Sequence, residues 1–197
     1  MDSNLQQFKD HVIKAAANPD FIHHAWFVDY HLIIVEQIAL ELCKKHPDAD
    51  KNIILLLVWL HDYGKILDIN HEHKTTLSMG PKVLTEFGFN NEVIKLALDY
   101  IRQIDAHAEM DLSKASIEVK IVSSADAAAH LIGPFYQVYL HENPNKSLKD
   151  LMSSNKLKVK KEWSEKIVLP EIKKAFLDRY NLILEQNGDL PNNYLTK

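Results

Sequence analysis

An all-α fold is what the sequence predicts, and three observations predict it. Glycine is scarce, with only five in 197 residues. No Val/Thr-rich alternating runs mark strands, and apolar residues recur three and four apart over long stretches. At 46% hydrophobic and 25% charged residues the chain is too apolar for disorder, and its length suits one compact domain spanning 1–197.

The elements follow in order. Residues 27–45 carry Phe27, His31, Ile34, Ile38 and Leu42 along one helical stripe, and Pro47 stops the helix. His31 therefore sits on the buried stripe. Residues 50–63 put Ile54, Leu57, Val58 and His61 on one face, with Gly64 as a left-handed cap, so His61 and Asp62 close that helix. Further helical patterns cover 75–87, 91–104, 114–140 and 163–186, separated by Gly88, by 106–113 and by 143–145.

Composition excludes several function classes. The single cysteine, Cys43, rules out an internal disulfide framework and a multi-thiolate zinc site, and fits a reducing compartment. The longest apolar run, 53–60, cannot span a bilayer, and the first eighteen residues lack the unbroken apolar stretch of a signal peptide. A cytoplasmic protein without a membrane partner is expected. A net charge of −4 gives no global drive toward nucleic acid. Residues 146–174 hold nine lysines against four acids, which reads chiefly as a solvated helical face, with phosphate contact as the other reading.

The residues that carry chemistry lie in LHDYGK, 60–65. Composition alone predicts about one His-Asp dipeptide in such a chain, so specificity comes from context. His31 lies on an apolar stripe thirty residues upstream, and Asp126 lies downstream in SSADAAAH, which reads as buried helix. An unpaired carboxylate among Val119, Val122 and Ala129 costs several kcal/mol, and a divalent cation shared with two imidazoles compensates it. Ser123, Ser124, Ala125, Ala127 and Ala128 are small enough to let that helix approach its neighbours closely.

His31, His61-Asp62 and Asp126, within YHLIIVEQIALEL, LLLVWLHDYGK and IVSSAD, resemble the HD superfamily of metal-dependent phosphohydrolases over roughly residues 25–135. The resemblance implies a compact helical HD bundle, followed here by a C-terminal helical extension over 141–197. It implies His31, His61, Asp62 and Asp126 as metal ligands. Branches holding two metals add two histidines, and the matching segments, HEHKTTLSMGPKVLTEFGF and YIRQIDAH, favour His73, with His71 as the fallback, and His107. Thr76 stands where relatives commonly show Gly or Ser, and Pro81 falls early in that helix.

An imidazole and carboxylate set without thiolate suits Mn, Fe, Co, Ni or catalytic Zn, one or two ions per chain. The resemblance implies a hydrolase whose metal lowers the pKa of a water from about 16 toward ~7 for attack at phosphorus, with Asp62 bridging where there are two ions. Lys65 is expected to stabilise a transferring phosphoryl group, and Arg102 to clamp a phosphate or else form a surface ion pair. His130 is read as orienting a ligand, contacting substrate or simply packing. His23, His24, Trp26 and Tyr30 either line the mouth of the site or staple the core. The expected substrate is a phosphate ester or anhydride, a nucleotide or related small molecule. The alternatives are a di-iron oxygenase of HD type and a non-catalytic nucleotide-binding module. The amphipathic pattern of 163–184 needs a partner surface, with packing on the core favoured over a homodimer.

Overall fold

A computed structural model describes residues 3–188, and all of their regular structure is helical. Residues 189–197, the end of the extension, lie outside the described residues. Helix α1 (Ser3–Ala16) seats Leu5, Phe8 and Val12 in the core. A wide π-helical turn, Val28–Leu32, leads into α2 (Ile33–Lys45). Asp50 caps α3 (Lys51–Leu60) by accepting from the amides of Asn52 and Ile53, and every residue from Ile53 to Leu60 is buried. Helix α3 is the central rod of the bundle. Trp59 donates its indole N–H to Glu36 on α2, and Lys9 on α1 holds the same carboxylate at 2.8 Å.

Short α4 (Tyr63–Leu67) turns the chain toward α5 (Glu72–Glu86), and α6 (Asn91–Asp105) starts at an Asn90 cap. Gly64 does not take the left-handed conformation its position suggested; among the described residues only Gly88 and Gly133 have positive φ. Its role is close approach. A Cβ on Gly64 would lie 2.0 Å from the Glu72 carbonyl oxygen and 2.4 Å from the Thr76 nitrogen. Gly64 N–H donates to Thr76 Oγ1 at 2.9 Å, and that hydroxyl donates to the Glu72 carbonyl at 3.0 Å. The hydroxyl at position 76 thus joins α4 to α5. Pro81 lies in the interior of α5, and the helix runs through it.

The single helix expected over 114–140 is two. Helix α7 (Ile117–Ala129) ends at His130, and α8 (Phe135–Glu142) begins after Gly133 and Pro134. Gly133 has φ +66°, which no continuing helix accommodates, and Pro134 has no amide to donate. The lysine-rich stretch supplies α9 (Leu148–Lys161), a second π-helical turn, Glu162–Lys166, and an extended passage before α10 (Pro170–Gln186), so the helix expected over 163–186 begins seven residues late. Pro170 occupies its first turn, where a missing amide costs nothing.

The extension packs on the bundle through α7. Ser123 and Ser124 donate to the Lys166 carbonyl, and Ser124 Oγ accepts from the amide of Val168 at 3.1 Å. Ile167, Leu169, Ile172 and Ile183 join the same hydrophobic core as α1 to α7. Small side chains on α7 therefore do two things: they let neighbouring helices close in, and their hydroxyls satisfy backbone groups of the extension. Among the described residues no helix is long and apolar enough to cross a membrane.

Candidate metal centre

Four side chains from four elements meet at one end of α3. His31 comes from the first π-turn, His61 caps the C-terminus of α3, Asp62 precedes α4, and Asp126 comes from the middle of α7. His31 Nε2 lies 3.4 Å from Asp62 Oδ2 and 3.5 Å from Asp126 Oδ1. His61 Nε2 lies 3.6 Å and 3.8 Å from the same two oxygens. Donors about 2.1 Å from a common ion sit roughly 3–3.5 Å apart, so the spacing fits a shared cation.

Protonation fits as well. Neither His31 Nε2 nor His61 Nε2 has a hydrogen-bond partner although both are buried. His61 Nδ1–H donates to the Val58 carbonyl at 2.8 Å, which leaves the Nε2 lone pair facing the cluster. Burial drives the pKa of His31 down to about 4 against the pull of Asp62 and Asp126, so the ring is neutral. Burial opposes ionisation of Asp62, but the Lys65 ammonium outweighs it and holds its carboxyl well below the usual range. Asp126 is held down in the same way by the ammonium of Lys166. Two imidazoles and two carboxylates are the donor set of a transition-metal site, and the orphaned imidazole nitrogens are what a cation would satisfy.

His130 joins this group one helical turn beyond Asp126. Its Nε2 is 3.8 Å from Asp126 Oδ1, and its ring stacks on His31 with centroids 4.9 Å apart and planes 10° from parallel. Glu162 accepts from His130 Nδ1–H at 2.7 Å, from Lys158 at 2.8 Å and from the Tyr136 hydroxyl at 3.2 Å. Burial opposes the charge of Glu162, and His130 and Lys158 overcome it, lowering the pKa to about 2. Two overlapping sets of metal-type donors result, His31–His61–Asp62 and His31–Asp126–His130.

A cavity of about 230 Å³ opens over the cluster, and His73, His107, Lys65, Lys158, Lys161 and Lys166 line it with His61, Asp62 and Asp126. His73 is mostly exposed, and its Nδ1 lies 3.0 Å from Asp105 Oδ1. His107 Nδ1–H donates to the Ile104 carbonyl at 3.2 Å, and its Nε2 is 3.7 Å from Glu165. Both face the cavity, and both stand outside the tight donor group. His71 pairs with Asp68 at the surface. Arg102 is exposed on α6, outside the cavity lining, and the cationic side chains that line the cavity are lysines.

Lys65 Nζ is 2.8 Å from Asp62 Oδ2 and 3.5 Å from Glu72 Oε2. Lys166 is ion-paired with Asp126. Burial disfavours both ammonium groups, but the adjacent carboxylates more than restore them, so both stay charged. The lysine-rich stretch is thus more than a solvated face: Lys158, Lys161 and Lys166 build one wall of the cavity. The sequence offered no signal for Glu162 and Lys166, since only the fold of the extension across α7 brings them here. His130 carried a weak one, the i,i+4 spacing from Asp126.

The chain matches the HD domain family over residues 28–130, just over half its length, and belongs to that family. The match begins three residues before His31 and ends at His130, so it encloses the whole histidine and aspartate cluster. No curated protein and no solved structure matches the chain significantly.

Proposed function

We propose that this protein is a phosphohydrolase that uses one or two divalent transition-metal ions to cleave a phosphate ester or anhydride, of a nucleotide or related small molecule. The observation that carries the reading is the meeting of the unpartnered Nε2 atoms of His31 and His61 with the ionised carboxylates of Asp62 and Asp126, under a lysine-lined cavity. When bound, a divalent ion supplies a water of lowered pKa and positive charge for the phosphoryl oxygens.

The chain's own residues do the rest. His61 is locked in the tautomer that presents Nε2, through Val58. His31 and His61 hold lone pairs, and Asp62 and Asp126 supply charge. Glu162 fixes the His130 ring from behind, as carboxylates do for metal-site histidines. Lys65, charged and about one turn from Asp62, is placed to stabilise negative charge growing on a transferred phosphoryl group. Lys158 and Lys161 attract an anionic substrate toward the opening. His73 and His107, on the cavity wall, are the residues that would complete a second metal position.

The test is metal stoichiometry by plasma mass spectrometry on untagged protein purified without chelator, paired with phosphate release from a panel of nucleotides and sugar phosphates. One or two ions per chain, phosphate release that needs them, and loss of both in His61→Ala and Asp126→Ala are expected. No metal after reconstitution, or metal retained in both variants, overturns the reading. Iron with dioxygen consumption and no phosphate release replaces it with oxygenase chemistry.

A further inference from the structure

His130, stacked on His31, borders two adjoining spaces. On one side is the charged cavity over Asp62 and Asp126; on the other is a pocket of about 130 Å³ walled by Trp26, Phe27, Phe135, Tyr139, His23 and Glu142. Lys65, His130 and Lys158 line both. The second space adjoins the candidate metal centre at His31 and His130 and differs from the first cavity in having four aromatic side chains in its wall, with Glu142 as its carboxylate.

Its geometry is that of a corner for a flat ring. Trp26 and Phe135 stand with centroids 5.8 Å apart and planes at 80°, so a planar group stacked on one ring presents its edge to the face of the other. Phe27 and Tyr139 add two further aromatic side chains. The corner is rigidly built: Phe135 packs on His130 with centroids 3.9 Å apart, and Trp26 donates its indole N–H to Glu142 at 2.7 Å. His23 Nδ1 holds the same carboxylate at 3.0 Å. A carboxylate has about four acceptor positions, so two donors leave Glu142 capacity for an N–H on a ring edge.

We infer that this pocket is the subsite for the nucleobase of a nucleotide substrate, stacked in the Trp26–Phe135 corner, with an N–H of its edge donated to Glu142 and its phosphate reaching past His130 toward Lys65 and Lys158. The inference rests on the phosphohydrolase reading for the phosphate end and on the pocket alone for the ring. Lys65 and Lys158, common to both spaces, are where the two ends of one ligand would meet the same cations. An aliphatic phosphate ester leaves the aromatic corner empty.

The experiment compares guanosine, adenosine and cytidine 5′-monophosphates with ribose 5-phosphate. Affinity is read by calorimetry and by tryptophan fluorescence, on wild type, Trp26→Leu, Phe135→Leu and Glu142→Gln, with folding of each checked by circular dichroism. At least one nucleotide should bind wild type about tenfold or more tightly than ribose 5-phosphate, in keeping with stacking of a base on aromatic side chains. That ratio should fall to within about threefold in either stacking variant while ribose 5-phosphate binding stays unchanged. Glu142→Gln should weaken guanosine, adenosine and cytidine nucleotides unequally, since each presents a different edge. Equal affinity of nucleotides and ribose 5-phosphate for wild type overturns the subsite, as does equal weakening of both ligand classes in Phe135→Leu. Ring-dependent binding without any phosphate release leaves the subsite and sinks the hydrolase; equal phosphate release from nucleotides and ribose 5-phosphate does the reverse.

Discussion

The ammonium of Lys166 is ion-paired with Asp126, forty residues earlier in the chain, on the floor of the candidate metal cavity. This contact ties the C-terminal extension to the histidine and aspartate cluster. It also supplies the counter-charge that a carboxylate buried among Val122, Ala125 and Ala129 requires.

Lys166→Ala should destabilise the metal-free protein, because it leaves Asp126 buried and uncompensated on that side. Breaking a buried pair costs about 3–5 kcal/mol, which corresponds to a fall in Tm of roughly 10 °C for a chain of this size. Saturating Mn²⁺ should restore part of that loss, since the cation takes over compensation of Asp126. Thermal unfolding of both proteins with and without Mn²⁺ checks it. A fall of equal size in both conditions would show that Lys166 acts independently of the metal centre.

Lys65→Ala separates charge stabilisation from coordination. Lys65 touches Asp62 through an ion pair and offers no lone pair to a cation while it is protonated, so metal content should stay at the wild-type level. Turnover should fall by on the order of 10²-fold, the scale seen for a lost electrostatic group at a developing charge. Steady-state kinetics beside metal analysis reads both. Unchanged kcat/KM removes Lys65 from the mechanism, and lost metal makes it a structural partner of Asp62.

Much of this site was legible in the sequence, and the reason is local. His31, His61 and Asp126 lie on helical stripes otherwise filled by apolar residues, and a polar group at such a position must find a partner inside. Gly64 and Thr76 were harder to read, because their importance is the distance between two backbones, which periodicity does not encode. The break at Gly133-Pro134 is masked in the sequence by the long apolar pattern on either side of it. Glu162 and Lys166 were illegible: in a run of nine lysines nothing distinguishes the one that turns inward, and only docking of the extension on Ser123 and Ser124 makes the difference. Trp26 was recognisable as an aromatic near the site, but its perpendicular partner Phe135 lies more than a hundred residues away and enters only through the fold.

Acid stability should depend on Glu162. Its pKa is about 2 in the folded protein against an ordinary 4.5, so the folded state binds that proton less readily than the unfolded chain. The resulting stabilisation is complete above about pH 4.5 and is lost as pH falls from there through about 2, with a full value on the order of 3 kcal/mol. Glu162→Gln removes this dependence, so the difference in unfolding free energy between the two proteins should shrink as pH falls from 5 to 3. Urea unfolding at several pH values measures it. A difference that stays constant over that range would mean that the carboxylate charge contributes nothing.

Gly64→Ala tests whether the α4–α5 contact holds the site's geometry. The added Cβ would lie 2.0 Å from the Glu72 carbonyl oxygen, 2.4 Å from the Thr76 nitrogen and 2.6 Å from its hydroxyl. Two of those atoms are backbone and cannot rotate away, so α4 must lift from α5 and the Gly64–Thr76 hydrogen bond must break. The cost should exceed about 2 kcal/mol, the range of overpacking plus a lost buried hydrogen bond. Because α4 starts directly after Asp62 and carries Lys65, metal affinity should weaken along with stability. Thr76→Ser is the control: it keeps the hydroxyl that receives the Gly64 amide and should leave metal affinity near wild type. If Gly64→Ala unfolds within about 0.5 kcal/mol of wild type, the close approach is not a constraint on the fold. If it is destabilised but binds metal normally, the contact supports the bundle without positioning Asp62.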